Sequence, residues 1–241
     1  MAQLDRRTSL AGAAVVAFDP ADSRWLTSLP ENSTAIQLPH LDGELVTDEH
    51  TLTEAATDYG HLVHHRPQAE LRPGSVADVV TLVRFANEHG IVVAVRGQGH
   101  STFGQAQADS GVVIDSRTLA TVHEITPGHA VVDAGVQWLD LVRITLKDGV
   151  APPVSTDYLG LSVGGTLCVG GIGGASQHHG MLVDNTLELQ VVTGDGWLVT
   201  CSAYHEPELF EAVLGGLGQF AIIVRAPWRA STRSPTPASP T

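Results

Sequence analysis

The sequence is short of cysteine, of aromatic residues and of positive charge, and each shortage excludes a class of protein. Two cysteines among 241 residues are too few for a disulfide framework, and their spacing does not fit a zinc site. Aromatic residues make up 5% of the chain, so the interior must consist mostly of Val, Leu, Ile and Ala. The 13 basic residues stand against 26 acidic ones, and the net charge of −13 argues against a surface for nucleic acid or anionic membranes.

Long apolar runs are also missing, since no segment approaches the roughly 20 apolar residues of a membrane span. Arg6-Arg7 and the apolar stretch after it resemble a twin-arginine export signal, but that stretch is short and no clear cleavage site follows. We therefore expect a cytoplasmic protein, with export as the alternative. Weak periodicity predicts a poorly defined lead-in over residues 1–45, and the Ser-, Thr- and Pro-rich residues 229–241 predict a disordered tail.

Between these ends, apolar periodicity predicts a mixture of helices and short strands. Ser75 is a good helix N-cap with Asp78 in the capping-box position, and Gly90 ends that helix. Further elements are predicted as strands at 91–95, 112–115 and 220–225, hairpins at 121–134 and 186–202, and helices at 136–147 and 208–214. Because helices and strands do not alternate regularly, the pattern indicates an α+β fold.

Residues 95–105 hold the most informative motif, a strand that runs into two glycines, a histidine and a serine. Gly97 and Gly99 lack Cβ atoms, so the backbone can take positive φ and approach a ligand closely. Successive amide N–H groups in such a loop form a site for anions, and His100 adds a nucleophilic imidazole. The loop suits a diphosphate attached to a reactive organic cofactor. Taken alone, a glycine turn that closes a strand is the simpler explanation.

Residues 72–225 resemble the FAD-binding domain, of PCMH type, of the vanillyl-alcohol oxidase superfamily, and most closely that of cytokinin dehydrogenases. Four segments carry the resemblance, in the family's order: Arg72–Val76, Gly97–Ser101 with Gly104-Gln105, Thr156–Leu159 leading to Val163–Leu167, and Leu214–Phe220. The resemblance implies a small α/β subdomain packed on a mixed sheet with the flavin between them, and residues 46–228 as the FAD-binding domain.

The resemblance also implies which residues bind FAD. In the family the histidine of Gly-His-Ser bonds covalently to the 8α-methyl group of the flavin, and His100 stands at that position; contact without a covalent bond is the alternative. The pyrophosphate-binding turn matches Val95, Gly97, Gln98, Gly99, Ser101 and Gln105. The positions that hold the flavin ring and ribityl chain match Ser162, Thr166, Cys168 and Ile172, and a position beside the adenine half matches Ile223.

Asp157 is the candidate catalytic residue. In cytokinin dehydrogenases the matching aspartate accepts the proton of the substrate amine while hydride passes to the flavin, and amine oxidation does need a base there. A turn closed by Thr156 and Asp157 is the alternative interpretation. The implied reaction oxidises a carbon beside an amine or alcohol of a small-molecule substrate, with oxygen or a quinone-like acceptor reoxidising the flavin.

Two departures from the family bear on this assignment. Cytokinin dehydrogenases usually carry serine and asparagine where Cys168 and Val169 stand, so two polar contacts are lost and the substrate assignment is weaker. Some relatives bond a cysteine of this region to the flavin, but a buried, inert thiol is the simpler interpretation of Cys168. We expect no metal site, because the side chains of His178 and His179 diverge and no third ligand is evident.

The family pattern stops before the substrate-binding domain. We therefore expect a truncated or split product, with apolar surface exposed where that domain would pack and with an oligomer or a complementary chain as the partner that supplies it. An inactive flavin-binding remnant is one alternative function. A nicotinamide-binding protein is another, because Gly171–Ser176 and Gly216–Ala221 approach its glycine fingerprint.

Overall fold

The computed structural model describes residues 17–19, 24–26 and 35–232. The export motif at Arg6-Arg7 and residues 233–241 of the predicted tail lie outside these ranges. The helices are α1 (Glu49–Ala55), α2 (Val76–His89), α3 (Trp138–Thr145), α4 (Val163–Leu167), α5 (Ser176–His179) and α6 (Pro207–Val213). The strands are β1 (Ala17–Asp19), β2 (Arg24–Leu26), β3 (Ala35–Gln37), β4 (Glu44–Val46), β5 (Ala69–Arg72), β6 (Val93–Arg96), β7 (Val112–Asp115), β8 (Val122–Ile125), β9 (His129–Asp133), β10 (Val150–Ala151), β11 (Glu188–Thr193), β12 (Leu198–Ser202), β13 (Ala221–Arg229) and β14 (Ser231–Thr232).

Two sheets form the body of the fold, which confirms the α+β class. The smaller sheet has the order β4-β5-β7-β6 and is mixed, because β5 and β6 run parallel to β7 while β4 is antiparallel to β5. The larger sheet has the order β12-β11-β13-β9-β8 and is antiparallel throughout. The mixed sheet thus belongs to the small α/β subdomain. Two of its four pairs, β8–β9 and β11–β12, are hairpins with short connections, and β13 joins these hairpins by pairing with β11 and β9.

The apolar face of α2 joins the two sheets. Val79 and Leu82 are fully buried in one cluster with Ile114 of β7, and the same cluster includes Val192 of β11 and Val224 of β13. A second cluster fills the space between the larger sheet and helices α3, α4 and α6. Apolar contacts of α2 therefore help to fasten the small subdomain to the larger sheet.

Most predicted elements are present, with shifted ends. Helix α2 and its stop are confirmed, since Gly90 has a φ of 66° and caps the helix. The hairpins β8–β9 and β11–β12 are also confirmed. The last strand is longer than predicted, because β13 continues to Arg229, and Ser231–Thr232 then pair with β10. Regular structure thus extends a few residues into the predicted tail.

The predicted capping box at the start of α2 does not form. Ser75 is the N-cap, but its hydroxyl donates to the Asp42 carboxylate at 2.9 Å instead of capping the helix. The Asp78 carboxylate accepts the backbone N–H groups of Asp42, Gly43 and Gly74, each at 2.8 Å. Asp78 therefore ties the loop before β4 and the turn after β5 to the first turn of α2, which is a long-range role that the local motif did not indicate.

This arrangement predicts that Asp78→Asn destabilises the protein. The amide places donors against backbone donors at a position that is 3% exposed, so we expect the free energy of unfolding to fall by about 2–4 kcal/mol. The matched control is Asp140→Asn, which removes an exposed carboxylate 3.5 Å from Arg143 and should cost less than about 1 kcal/mol. Urea unfolding followed by circular dichroism measures both, and equal losses in the two variants would contradict the prediction.

Candidate cofactor site

A cavity of about 790 Å³ lies between the two sheets. Its walls come from the glycine loop after β6, one side of α2, the segment around α4, the end of β11 and the start of β13. The size falls within the range of small-molecule sites. All the candidate residues except Asp157 and Ile172 line this cavity: Val95, Gly97, Gln98, Gly99, His100, Ser101, Gln105, Ser162, Thr166, Cys168 and Ile223.

Gly97 is the point of closest approach between the glycine loop and the opposite wall. A Cβ atom at this position would overlap the hydroxyl of Ser162, the buried N-cap of α4. Any side chain at residue 97 would therefore push α4 away from β6 and widen the cavity. Glycine is required here by close packing.

Gly99 is required for a different reason. Its φ is 72°, in the left-handed region, and a Cβ atom would meet the Arg96 guanidinium, which lies beneath the loop. Arg96 is 7% exposed and its Nη1 donates to the Thr57 carbonyl at 3.0 Å. Burial lowers the pKa of Arg96, while the carboxylates of Glu54, Glu70 and Asp115 oppose that shift. A buried, partnered cation thus supports the loop from behind.

The glycine loop presents unused hydrogen-bond donors. Within residues 35–232, the backbone N–H groups of residues 97–101 donate no hydrogen bond to a protein acceptor. The described lining of the cavity also contains no Asp, Glu, Lys or Arg side chain, although the chain has a net charge of −13. Free backbone N–H groups can bind an anion without a positively charged side chain, and no carboxylate in this wall would repel that anion.

His100 lies between two tyrosine rings. The Tyr59 ring stacks on the imidazole with centroids 4.6 Å apart and planes 17° apart, and the Tyr158 ring lies at 5.2 Å. The imidazole Nδ1 is 3.1 Å from the Gln98 carbonyl oxygen. The histidine is half-buried and lines the cavity, so an organic cofactor bound there is within its reach.

Ser162 and Thr166 line the cavity on the α4 side, but their hydroxyls are not equally available to a bound ligand. The Thr166 hydroxyl accepts the Trp138 indole N–H at 2.9 Å and donates to the Val163 carbonyl at 2.8 Å. The Thr166 hydroxyl is thus already hydrogen-bonded within the protein, and this residue shapes the cavity wall through its methyl group. The Ser162 hydroxyl faces Gly97 across the narrowest part of the cavity.

Cys168 lines the cavity as a neutral thiol. Burial raises its pKa to about 11, although the backbone N–H of Gly218 opposes that shift. A free thiol has a pKa of roughly 8.5, so the thiolate, which is the nucleophilic form, is scarce at neutral pH. Cys168 is half-buried rather than buried, and the raised pKa makes its thiol a weak nucleophile.

Asp157 and Ile172 lie outside the cavity lining. The Asp157 carboxylate is exposed and accepts the Gly174 N–H at 2.9 Å, while the Thr156 hydroxyl donates to the Tyr158 carbonyl at 2.9 Å. Ile172 is 69% exposed in the loop between α4 and α5. Asp157 nevertheless adjoins the site, because the next residue, Tyr158, contacts His100.

Several lining residues were not among the predicted site residues, although residues 217–220 belong to the segment Leu214–Phe220 that carries the resemblance. Val83, Ala86 and Asn87 of α2 form one wall, and Thr193, Gly194 and residues 217–220 form another. The helical spacing of the α2 residues indicated a buried face but not a ligand. Val169, Leu217 and Phe220 line the cavity and are between 49% and 65% exposed, so they offer apolar surface to a molecule bound there.

The nicotinamide alternative fails on topology. Its fingerprint needs a strand before the glycines and a helix after them. In the described chain, Gly171 follows α4 and Gly216 lies between α6 and β13, so neither glycine run follows a strand.

The described residues contain neither a cluster of metal ligands nor a helix that could span a membrane. No group of three or more His, Cys, Asp or Glu side chains there could hold a metal ion, and the rings of His178 and His179 are 6.4 Å apart. None of the helices in that part of the chain has the length and apolar character needed to cross a membrane.

Comparison with known proteins agrees with this geometry. The profile of a family described as FAD binding domain matches residues 67–202. An uncharacterized oxidoreductase encoded in the fasciation locus of Rhodococcoides fascians is 51% identical over 180 residues, which are 75% of this chain and 41% of that protein. Cytokinin dehydrogenase 6 of Oryza sativa subsp. japonica is 47% identical over 194 residues, which cover 76% of this chain and 37% of the relative.

A solved structure shows the same fold. The 6-hydroxy-D-nicotine oxidase of Arthrobacter nicotinovorans matches with a TM-score of 0.72 and 29% identity, over 80% of this chain and 43% of that one. The chain thus spans about two fifths of the length of these relatives. The family match covers the glycine loop, α4 and the walls of the cavity as far as β12. The chain therefore belongs to the FAD-binding domain family, and it is related to the cytokinin dehydrogenases.

Proposed function

We propose that the chain is the FAD-binding part of a cytokinin dehydrogenase-like oxidoreductase and that FAD occupies the cavity between the two sheets. The observation that carries this proposal is the run of free backbone N–H groups at residues 97–101 in a wall without carboxylates. A pyrophosphate is a dianion, and amide donors hold it without a lysine. The space beside Gly97, which a Cβ atom would fill, also supports the binding of a pyrophosphate close to this backbone.

The chain's own residues divide the cavity into three parts. The glycine loop would hold the pyrophosphate, and Ile223 with the apolar side of α2 would enclose the adenine half. Ser162, Thr166 and Cys168 would line the ribityl chain and flavin ring. Bound FAD supplies a two-electron acceptor for hydride from a carbon beside an amine or alcohol.

We propose that His100 holds the cofactor covalently. The imidazole lines the cavity next to the free amides, and its ring is fixed between two tyrosines. Cys168 is the competing nucleophile, but its raised pKa leaves it protonated. At pH 8 a thiol with a pKa near 11 is about one part in a thousand thiolate, whereas an ordinary cysteine is about one part in four.

Asp157 is proposed as the base that accepts the substrate amine proton. Its carboxylate is exposed, adjoins the His100 site through Tyr158 and is oriented by the Gly174 N–H. The exposed carboxylate leaves room for a small-molecule amine, which a cytokinin would provide. An inactive flavin-binding protein is the second candidate, because the proposed base, Asp157, is exposed and does not line the cavity.

The proposal predicts that His100→Ala abolishes covalent flavin and Cys168→Ala does not. Each protein is purified and precipitated with acid, and the absorbance of the flavin in the pellet is measured. Wild type and Cys168→Ala should keep the flavin in the pellet, whereas His100→Ala should release it. Flavin retained by His100→Ala but lost in Cys168→Ala would assign the link to the cysteine. A wild-type protein that is colourless and does not bind added FAD would overturn the proposal as a whole.

A second prediction concerns Asp157→Asn. The amide cannot accept a proton, so we expect the anaerobic bleaching of the flavin by a cytokinin to slow by about 100-fold or more. The content of acid-stable flavin should not change, because Asp157 does not line the cavity. Asp195→Asn, in the exposed turn between β11 and β12, is the matched control and should behave as wild type.

The same experiment separates the two candidate functions. Wild-type flavin that binds but is not bleached by a cytokinin would identify an inactive flavin-binding protein. Bleaching that is equally fast in Asp157→Asn would leave the contact with Gly174 as the only role of this carboxylate.

A further inference from the structure

The ring of Tyr59 is an exposed aromatic side chain in a fixed position. It is 61% exposed, yet it stacks almost parallel to the His100 imidazole at 4.6 Å. Tyr59 lies in the loop after α1, far from the glycine loop in sequence. An exposed tyrosine gains little from burial here, so its position depends on the backbone that carries it.

That backbone is anchored on both sides of Tyr59. The N–H of Tyr59 itself donates to the Ser101 carbonyl at 2.8 Å, within the glycine loop. The preceding residue, Asp58, is 3% exposed and accepts the Leu62 N–H at 2.9 Å, which closes the turn. The Thr57 carbonyl accepts Arg96 Nη1 at 3.0 Å. The segment 57–62 is thus tied to both ends of the loop that contains His100.

We propose that Tyr59 is a positioning residue for covalent flavin attachment. Its ring covers one face of the His100 imidazole and thereby restricts rotation of that side chain. An imidazole that is already oriented loses less conformational freedom when it reacts. This inference rests on the proposed covalent link at His100.

The attachment step shows why orientation of the imidazole matters. The imidazole loses its N–H proton and the 8α carbon loses one C–H bond as the new C–N bond forms between them. The two hydrogens and two electrons reduce the ring system and then pass to dioxygen, which becomes hydrogen peroxide. Of these partners, the imidazole is the one that this chain must hold in place.

The test uses the rate of attachment in flavin-free protein. Wild type, Tyr59→Phe and Tyr59→Leu are incubated with FAD in air, and acid-stable flavin is measured against time alongside total bound FAD. Tyr59→Phe keeps the aromatic ring and should attach flavin at the wild-type rate. Tyr59→Leu should attach it about 10- to 100-fold more slowly while binding a similar amount of FAD without a covalent bond. Tyr204→Leu, at a residue that is 99% exposed, is the control and should match wild type.

A measurement on the flavin-free protein tests whether the stacking of Tyr59 on His100 is what sets the rate of flavin attachment. The ring protons of His100 in the flavin-free protein should show an upfield NMR shift from the Tyr59 ring, retained in Tyr59→Phe and reduced in Tyr59→Leu. Loss of this shift in Tyr59→Leu together with a wild-type attachment rate would overturn the inference. Wild-type protein that binds FAD but never attaches it would instead overturn the covalent link proposed at His100, and the inference with it.

Discussion

The contact between Gly97 and Ser162 determines how closely the two halves of the molecule approach each other. Gly97 follows the last residue of β6 in the smaller sheet, whereas Ser162 caps the helix that abuts the larger one. The α4 end is fixed, because the N–H groups of Val163 and Gly164 donate to the carbonyls of Val136 and Ala134, both at 2.8 Å. These hydrogen bonds hold the start of α4 in place, and the glycine loop has no side chain at residue 97. The gap between them is therefore narrow. The shape of the cavity depends on this contact.

The charge distribution around the gap follows from the same geometry. A chain with a net charge of −13 would repel a dianion if its carboxylates faced the cavity. The buried carboxylates Glu70 and Asp115 instead lie with Arg96 and Arg117 behind the glycine loop, where burial and then Asp115 raise the pKa of Glu70. The Asp115 side chain holds the Arg117 guanidinium at 2.8 Å. The loop is thus supported by a paired charged layer on one side and offers neutral donors on the other.

Local patterns predicted the parts of the structure that local physics controls. The extent of α2, its stop at Gly90 and the turn at Asp195-Gly196 each follow from residues within one or two turns of the chain. The glycine loop, to which the family resemblance pointed, lines the cavity. What could not be predicted depends on partners distant in sequence. Asp78 binds Asp42 from 36 positions away, and Tyr59 meets His100 only because the segment 57–62 is fastened to the loop.

The same distinction clarifies the two interpretations of Asp157. A structural contact and a role as a base do not exclude each other, because the carboxylate has two oxygens. Oδ1 accepts the Gly174 N–H at 2.9 Å, and within the described chain no hydrogen bond reaches Oδ2. A catalytic base needs a carboxylate held in one orientation with an oxygen left free for the incoming proton. The contact with Gly174 supplies the first condition and the exposure of Asp157 supplies the second, so this contact is compatible with the proposed catalytic role.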